Sequence, residues 1–330
     1  MDWLTILQRT FTNAIGQEFI VYGLAAIGLN LHFGYTGLLN FGQVAFVAAG
    51  AYGVATVVAT FSLPLWLGVL AGIALPLMLA ALLGIPTLRL RADYLAIVTI
   101  AGSEIVRLVA RSPSLRSITN GSYGLSQFGG DFYALNPIPD GRYGIWRITF
   151  DANATWYLLV GWTLVALATL LILVLIRSPW GRVLKSIRED EDAPRSLGKN
   201  VYVYKLQSLA VGGVIAAFGG MMFAIGSQSV QPDNYGTPLT FFAYCALILG
   251  GMARVGGPVI GAAMFWGLLA FTENTLRNAV EAGYIPSGLM DTVQVGQVRF
   301  MLVGLGLMLL MIFRPQGVFG DKRELALDAR

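Results

Sequence analysis

The 330 residues predict an all-α polytopic membrane protein of about nine transmembrane or re-entrant helices, with one structured outer loop and one helical cytoplasmic loop. Three observations carry that reading. Hydrophobic types make up 56% of the chain and charged types 12%, about half the charge of a soluble domain, and mean hydropathy is +0.67. Apolar runs of bilayer length recur from end to end. The basic residues fall between those runs, the pattern of cationic membrane loops rather than of a nucleic-acid surface. High hydrophobicity also excludes disorder. One cysteine excludes an internal disulfide framework, and with one histidine it leaves no multi-ligand zinc or haem set.

A bilayer core takes about 20 apolar residues per helix. The candidate segments are 14–31, 40–60, 64–84, 92–110, 155–177, 206–227, 238–252, 258–276 and 298–313. The second is rich in Gly and Ala, which suits a packed core helix as well as a lipid-facing one. The seventh is short, as a tilted, broken or re-entrant segment would be. Ahead of the first, Asp2 precedes Arg9 and no small-residue cleavage site follows, so a cleaved signal is not expected. The whole chain, 1–330, reads as a single transmembrane domain.

Orientation follows the basic residues. With nine spans, loops 85–91, 178–205 and 253–257 share a side with the C-terminal tail. Those places, with Arg177 at the edge of the 178–205 loop, carry 14 of the 22 Lys and Arg residues, Arg89, Arg91, Lys322, Arg323 and Arg330 among them. That side is expected to be cytoplasmic, with the N-terminus and 111–154 facing out. In the outer loop, Trp146, Ile148 and Phe150 alternate with Arg147, Thr149 and Asp151, the period of a short strand.

Catalytic chemistry is absent. No phosphate-cradling G-x-x-x-x-G-K-[ST] occurs, no Gly-x-Ser-x-Gly occurs, and lone His32 has no ligand partners in sequence. Within the spans, Glu104 and Arg107 are the ionisable residues that draw notice, in a stretch otherwise almost free of them. A charge twelve residues into a span costs a few kcal/mol unless paired or wetted, and Arg107 at i+3 shares its face. The pair either faces a pathway or fixes helix packing. Tyr35, Asn40 and Gln43, at the start of the Gly-rich segment, either bind a polar solute or hydrogen-bond between helices. Gly68-x-x-x-Gly72 and Gly257-x-x-x-Gly261 permit close helix contact. Gly250, Gly251, Gly256 and Gly257 bracket Arg254 as a hinge or a tight turn.

The loop 178–205 is the most charged stretch. Pro179 and Gly181 punctuate the preceding span, and Val183, Leu184 and Ile187 make a helical stripe from Arg182 to about Asp190. Four acids follow, Glu189 to Asp192. Asp192 is expected to cap a second short helix with Pro194 in its first turn and Gly198 at its stop. The result is a two-part helical elbow.

Asp192-Ala193-Pro194-Arg195-Ser196-Leu197-Gly198 resembles the EAA motif of bacterial ABC importer permeases. The preceding S-P-W-G-R…I-R-E-D-E is similar to the LivM-type permease of branched-chain amino acid ABC transporters. Gly34-Tyr35-Thr36-Gly37-Leu38-Leu39-Asn40-Phe41-Gly42-Gln43, Asp93-Tyr94-Leu95-Ala96-Ile97-Val98-Thr99 with Glu104-Ile105-Val106-Arg107, Thr119-Asn120-Gly121-Ser122-Tyr123-Gly124-Leu125, Ile248–Gly251 with Gly257–Ala262, and Arg314-Pro315-Gln316-Gly317 also look like that family's motifs, in order. The resemblance covers roughly residues 20–320. Asn40 and Gln43 stand where the family pattern has a small hydroxyl and His, and Pro194 interrupts the Ala-rich part of the EAA element.

The resemblance implies the permease subunit of an ATP-driven importer for branched-chain or other neutral amino acids. Close alternatives are a urea or short-amide importer permease and, from another class, an ion-coupled secondary transporter. It implies no cofactor on this chain, since ATP and Mg belong to separate subunits. The implied partners are a second, LivH-like permease, two ATPase subunits and an extracytoplasmic substrate-binding protein, assembled in a bacterial inner membrane. Arg188, Glu189, Asp190, Glu191, Asp192, Ala193 and Gly198 are the implied coupling residues. Tyr35, Asn40, Gln43, Glu104 and Arg107 are the pathway candidates.

Overall fold

The computed structural model describes residues 3–88, 92–145, 148–282, 284, 294–314 and 316–320. Its helices are α1 (Trp3–Ala14), α2 (Gln17–Leu29), α3 (Gln43–Ala55), α4 (Leu65–Thr87), α5 (Ala92–Arg111), α6 (Arg116–Thr119), α7 (Gly130–Ala134), α8 (Ala152–Arg177), α9 (Pro179–Glu189), α10 (Asp192–Ser196), α11 (Val201–Ser227), α12 (Thr237–Gly250), α13 (Gly257–Glu281) and α14 (Val295–Phe313). Helices α2 and α3 run on into wider π-helical turns, Asn30–Tyr35 and Thr56–Thr60. The strands are β1 (Leu125–Ser126), β2 (Arg142–Ile145), β3 (Ile148–Asp151) and β4 (Ser229–Val230).

Each of the nine expected segments is occupied by helix, but not each is a span. Among the described residues, α3 with its π turn, α4, α8, α11, α13 and α14 are long and apolar enough to cross a bilayer. A seventh arises if α1 and α2 are one span bent by 40°. Helix α5 is long enough, but Asp93, Glu104, Arg107 and Arg111 lie within it. Helix α12 has 14 residues, so it reaches roughly 21 Å of a core about 30 Å thick. Helix α1 extends the chain ahead of the expected start at 14, and its Trp3, Leu4, Leu7 and Phe11 are exposed.

Helices α2, α3 and α11 form the centre. Lipid supplies little hydrophobic drive between helices, so association depends on close van der Waals packing through small residues. A Cβ on Gly220 of α11 would lie 1.8 Å from the Val47 carbonyl of α3, and one on Gly28 of α2 would lie 2.2 Å from the Gly212 carbonyl of α11. These helices meet backbone to backbone, and α3 is buried along almost its whole length. The Gly-rich second segment is therefore a packed core helix. The expected small-residue contacts form as well: Gly72 abuts Gly53, and Gly261 abuts the Ala246 carbonyl.

Hydrogen bonds sort the connections into two ends. At one, Arg188 donates to the Gly34 carbonyl (2.6 Å), Asn30 to the Arg254 carbonyl (2.9 Å), Tyr202 to the Ile85 carbonyl (3.2 Å) and the Val318 amide to the Leu249 carbonyl (2.9 Å). At the other, Thr60 donates to the Ile118 carbonyl (2.8 Å) and the Gln127 amide to the Gln228 carbonyl (3.1 Å), beside the β1–β4 ribbon. Loops 178–205 and 253–257 thus share an end with residues 316–320, the grouping that the charge bias requires. Arg89, Arg91, Pro315, Lys322, Arg323 and Arg330 lie outside the described residues.

The expected strand in the other end's loop is one arm of a hairpin. β3 pairs antiparallel with β2, Arg142 opposite Asp151 and Gly144 opposite Thr149. Trp146 and Arg147 lie outside the described residues.

Candidate functional site

The elbow is built from the end of α8. The Ser178 hydroxyl and amide both bond the Leu175 carbonyl (2.6 and 3.2 Å), which ends the helix, and Pro179 opens α9 where its missing N–H costs nothing. Gly181 allows the corner, since a Cβ there would lie 2.4 Å from Ile176 Cα. Leu184 and Ile187 are buried and Val183 half-buried, so the predicted stripe is the packed face.

The cap of the second helix differs from expectation. Asp192 is the first residue of α10, and the Asp190 carboxylate accepts its amide at 2.9 Å. An N-cap needs extended backbone. Asp190 has it (φ −157°, ψ 119°), whereas Glu191 is already helical (φ −70°, ψ −25°). The helix stops where expected: Gly198 sits at φ +72°, and its amide and that of Lys199 close onto the Arg195 and Pro194 carbonyls (2.9 and 3.0 Å).

Ion pairs fasten the elbow at its base. Arg195 bridges Glu191 and Asp192 (3.0 Å each), and Glu191 also pairs with Lys205 of α11. Arg188 reaches the Gly34 carbonyl, and the Gly37 backbone packs on Arg188. The Lys185 ammonium stands 5.9 Å from the Tyr35 ring centre. Pro194 is buried beneath, while Ala193, Ser196, Leu197 and Gly198 project. Leu197 is 78% exposed, an apolar tip on a polar surface.

Tyr35, Asn40 and Gln43 lie in protein interior, each at most 2% exposed. The Asn40 amide nitrogen contacts His32 Nδ1 (3.1 Å) and donates to Gln43 Oε1 (2.9 Å). Its oxygen accepts the Gly42 amide (3.0 Å), and its carbonyl accepts the Tyr244 hydroxyl (3.1 Å). His32 Nε2 faces the Leu209 carbonyl (3.2 Å), and Gln43 donates to the Ala25 carbonyl (3.3 Å). Thr36 and Ser208 share a hydroxyl pair at 2.7 Å. Two of these bonds, at the Gly42 amide and the Asn40 carbonyl, satisfy backbone groups left free where the chain turns from α2 into α3; the others tie the bend to α2 and α11.

Glu104 and Arg107 form the expected i, i+3 ion pair at 2.8 Å. The structure adds partners distant in sequence. Thr237 donates to Glu104 (2.8 Å), and Asp233 accepts from both Arg107 (3.1 Å) and Arg111 (3.3 Å). The pair is half-buried and turned toward the 232–237 turn of its own chain.

The sequence reading overlooked a second ionic group. Glu273 of α13 pairs with Arg277 (3.0 Å) and with Arg299 of α14, whose guanidinium stands 4.7 Å from the Phe300 ring centre. The i, i+4 spacing of Glu273 and Arg277 was the available signal; Arg299 is 26 residues away. Between α3, α4 and α5 lies an apolar cavity of about 1130 Å³, lined in part by Ala49, Tyr52, Gly53, Met78, Val106 and Ala110. The 250–257 glycines form a tight turn, with Gly251 at φ +106° and Ala253 at φ +55°.

The sequence profile of the family described as "Branched-chain amino acid transport system / permease component" matches residues 13–312. The high-affinity branched-chain amino acid transport system permease protein LivM of Salmonella typhimurium is 32% identical over 310 residues, 91% of this chain and 68% of that protein. Its Escherichia coli namesake is 33% identical over 309 residues, with the same shares. The probable branched-chain amino acid transport permease protein LivM of Methanocaldococcus jannaschii is 24% identical over 350 residues, 92% of each chain.

Proposed function

Because the chain belongs to the family of branched-chain amino acid transport permease components, we propose that it is the permease subunit of an ATP-driven ABC importer for branched-chain or other neutral amino acids. It is a multi-pass membrane protein. In this reading it pairs with a second, LivH-like permease, two ATPase subunits and an extracytoplasmic binding protein, and ATP and Mg are handled by the ATPases.

The observation that carries the reading is the elbow. A five-residue helix, braced by Glu191–Lys205 and Arg195, presents an exposed Leu197 and an open Gly198 at one end of the bundle. An exposed apolar residue on a fixed polar surface suits insertion into a cleft of another protein. The elbow side is cytoplasmic in this reading, and residues 112–151 face out toward the binding protein.

Motion delivered to α10 has two routes inward. Glu191–Lys205 leads into α11, and Arg188 leads through the Gly34 carbonyl into the π turn that ends α2. Both routes meet at the His32–Asn40–Gln43 network, which holds the re-entrant bend. We assign Asn40, Gln43 and Tyr35 to keeping that bend in register as the helices shift. Glu104 and Arg107, with Asp233, hold the outer gate. The apolar cavity against α3 is the surface that the second permease completes.

The test is reconstitution with the cognate ATPases and binding protein. Reversing Glu191 and Asp192 to Lys is expected to lower binding-protein-stimulated ATP hydrolysis while membrane insertion stays intact. Unchanged stimulation, or solute accumulation by the purified chain alone, contradicts the proposal. Calorimetric titration of the binding protein with leucine, neutral amino acids and urea names the solute.

A further inference from the structure

Resting on the permease reading above, we propose that the solute pathway runs along the groove between α5 and α12, beside Phe41 of the re-entrant bend. Lipid is a poor neighbour for this part of the molecule. With 14 residues, α12 is too short to cross the hydrocarbon core. Helix α5 carries Glu104, Arg107 and Arg111 along one side, and ionisable groups within spans turn to protein interior or to water. Between the two helices, residues 37–42 are not helical. The Phe41 amide donates to Thr99 (3.1 Å), seven residues past the start of α5, and the Val44 amide donates to Thr240 of α12 (2.9 Å). The bend therefore reaches roughly 10 Å along α5. Irregular backbone at such depth is tolerated only where protein covers it or where it lines a water-filled cavity.

Both helices nevertheless leave a continuous face open. On α5 it consists of Tyr94, Ile97, Ala101, Ile105 and Leu108, all exposed and at helical spacing. On α12 it consists of Pro238 and Phe241, which are exposed, and Cys245 and Ile248, which are half-buried. Phe41 joins the two faces at the bend: its ring centre lies 5.8 Å from that of Phe241 and 4.8 Å from that of Tyr244. The apolar cavity takes the other flank of α5, through Val106, Val109 and Ala110. A second permease seated on that cavity brings the groove to the centre of the pair and supplies its opposite wall.

The ionic cluster bridges the same two helices. Thr237, the first residue of α12, donates to Glu104 of α5, and Asp233 just ahead of α12 accepts from Arg107 and Arg111. The outer gate is thus the rim of this groove. Two carboxylates and two guanidiniums give a rim with no net charge, which gathers neither cations nor anions. The walls below are aromatic and aliphatic. A polar rim over apolar walls suits a neutral or zwitterionic solute with an apolar side chain.

Cys245 is the single cysteine of the chain and lies on the open face of α12, so it reports on the groove without an engineered change. The experiment uses the full-length chain assembled with cysteine-free partners in liposomes. ATP-driven uptake is measured first; its absence defeats the permease reading, and the pathway with it. A membrane-impermeant, positively charged methanethiosulfonate reagent is then added, and modification is read by mass spectrometry of the intact chain. Modification of Cys245, with uptake falling as the label accumulates, is expected. In a Cys245→Ser background, Phe241→Cys is expected to react as well. Leu247→Cys on the buried face of α12 and Leu305→Cys on the exposed face of α14 are expected to react at least about tenfold more slowly. An unreactive Cys245 in a complex that transports overturns the pathway alone, and so does equal reactivity of Leu247→Cys. Reactivity of the isolated chain in detergent that vanishes in the complex marks a dry contact with the second permease and overturns it too. Should Phe241→Cys fail to assemble, Ile248→Cys serves in its place, with the same outcomes.

Discussion

Asn40 is 1% exposed, and both its amide nitrogen and its amide oxygen are bonded. Leu197 is 78% exposed and apolar, at the tip of a charged elbow. Each breaks the usual rule for its residue type, and the two breaks have different physical meanings. A buried amide is tolerated only when its donors and acceptors are matched, so the first records how the re-entrant bend is held. An exposed leucine gains little for its own fold, and the proposed function assigns the second to the cleft of a partner. Polarity against environment, rather than polarity alone, is what sets the two residues apart in this chain.

The contrast breaks first at the packed centre if it is wrong. Gly220→Val drives a side chain into the Val47 carbonyl, and a loss of about 3 kcal/mol or failure to yield folded protein is expected. Thermal melting in detergent measures it; a melting temperature like that of the parent would show that the α3–α11 contact is not close. Asn40→Leu comes next. It strands Gln43 Oε1 and the Gly42 amide in the interior, at about 1–3 kcal/mol. Full retention of stability would mean that water or relaxation replaces the network.

Glu104→Gln probes an intermediate case. Its ion pair is half-exposed, and such pairs contribute less than about 1 kcal/mol, so melting is expected to shift by only a few degrees. A shift as large as that of Asn40→Leu would move this cluster into the structural class. Leu197→Asp sits at the small end for stability, within about 0.5 kcal/mol, yet it is expected to abolish stimulation of the partner ATPases. A stable variant with normal stimulation would remove the tip from the interface.

Much of this was legible in the sequence because the signals are local. The apolar runs, the Val183–Leu184–Ile187 stripe, the Gly198 stop and the Glu104–Arg107 pair each depend on neighbours within a turn or two. What escaped depends on distance. The Asp190 carboxylate replaced Asp192 at the cap because backbone dihedrals, not residue order, choose the capping position. Asp233 joined Arg107 from 126 residues away, and Arg299 joined Glu273 across two helices.

By itself the sequence determined that the chain lives in lipid, where its charges gather, and that a charged helical elbow interrupts its spans. It did so because hydrophobic length and helical period are properties of contiguous residues. Only the tertiary structure decided that α3 is a core helix, that Asn40 and Gln43 face protein, and that Leu197 is left exposed. Burial depends on what the other helices cover, and the close backbone approaches of α2, α3 and α11 set that cover.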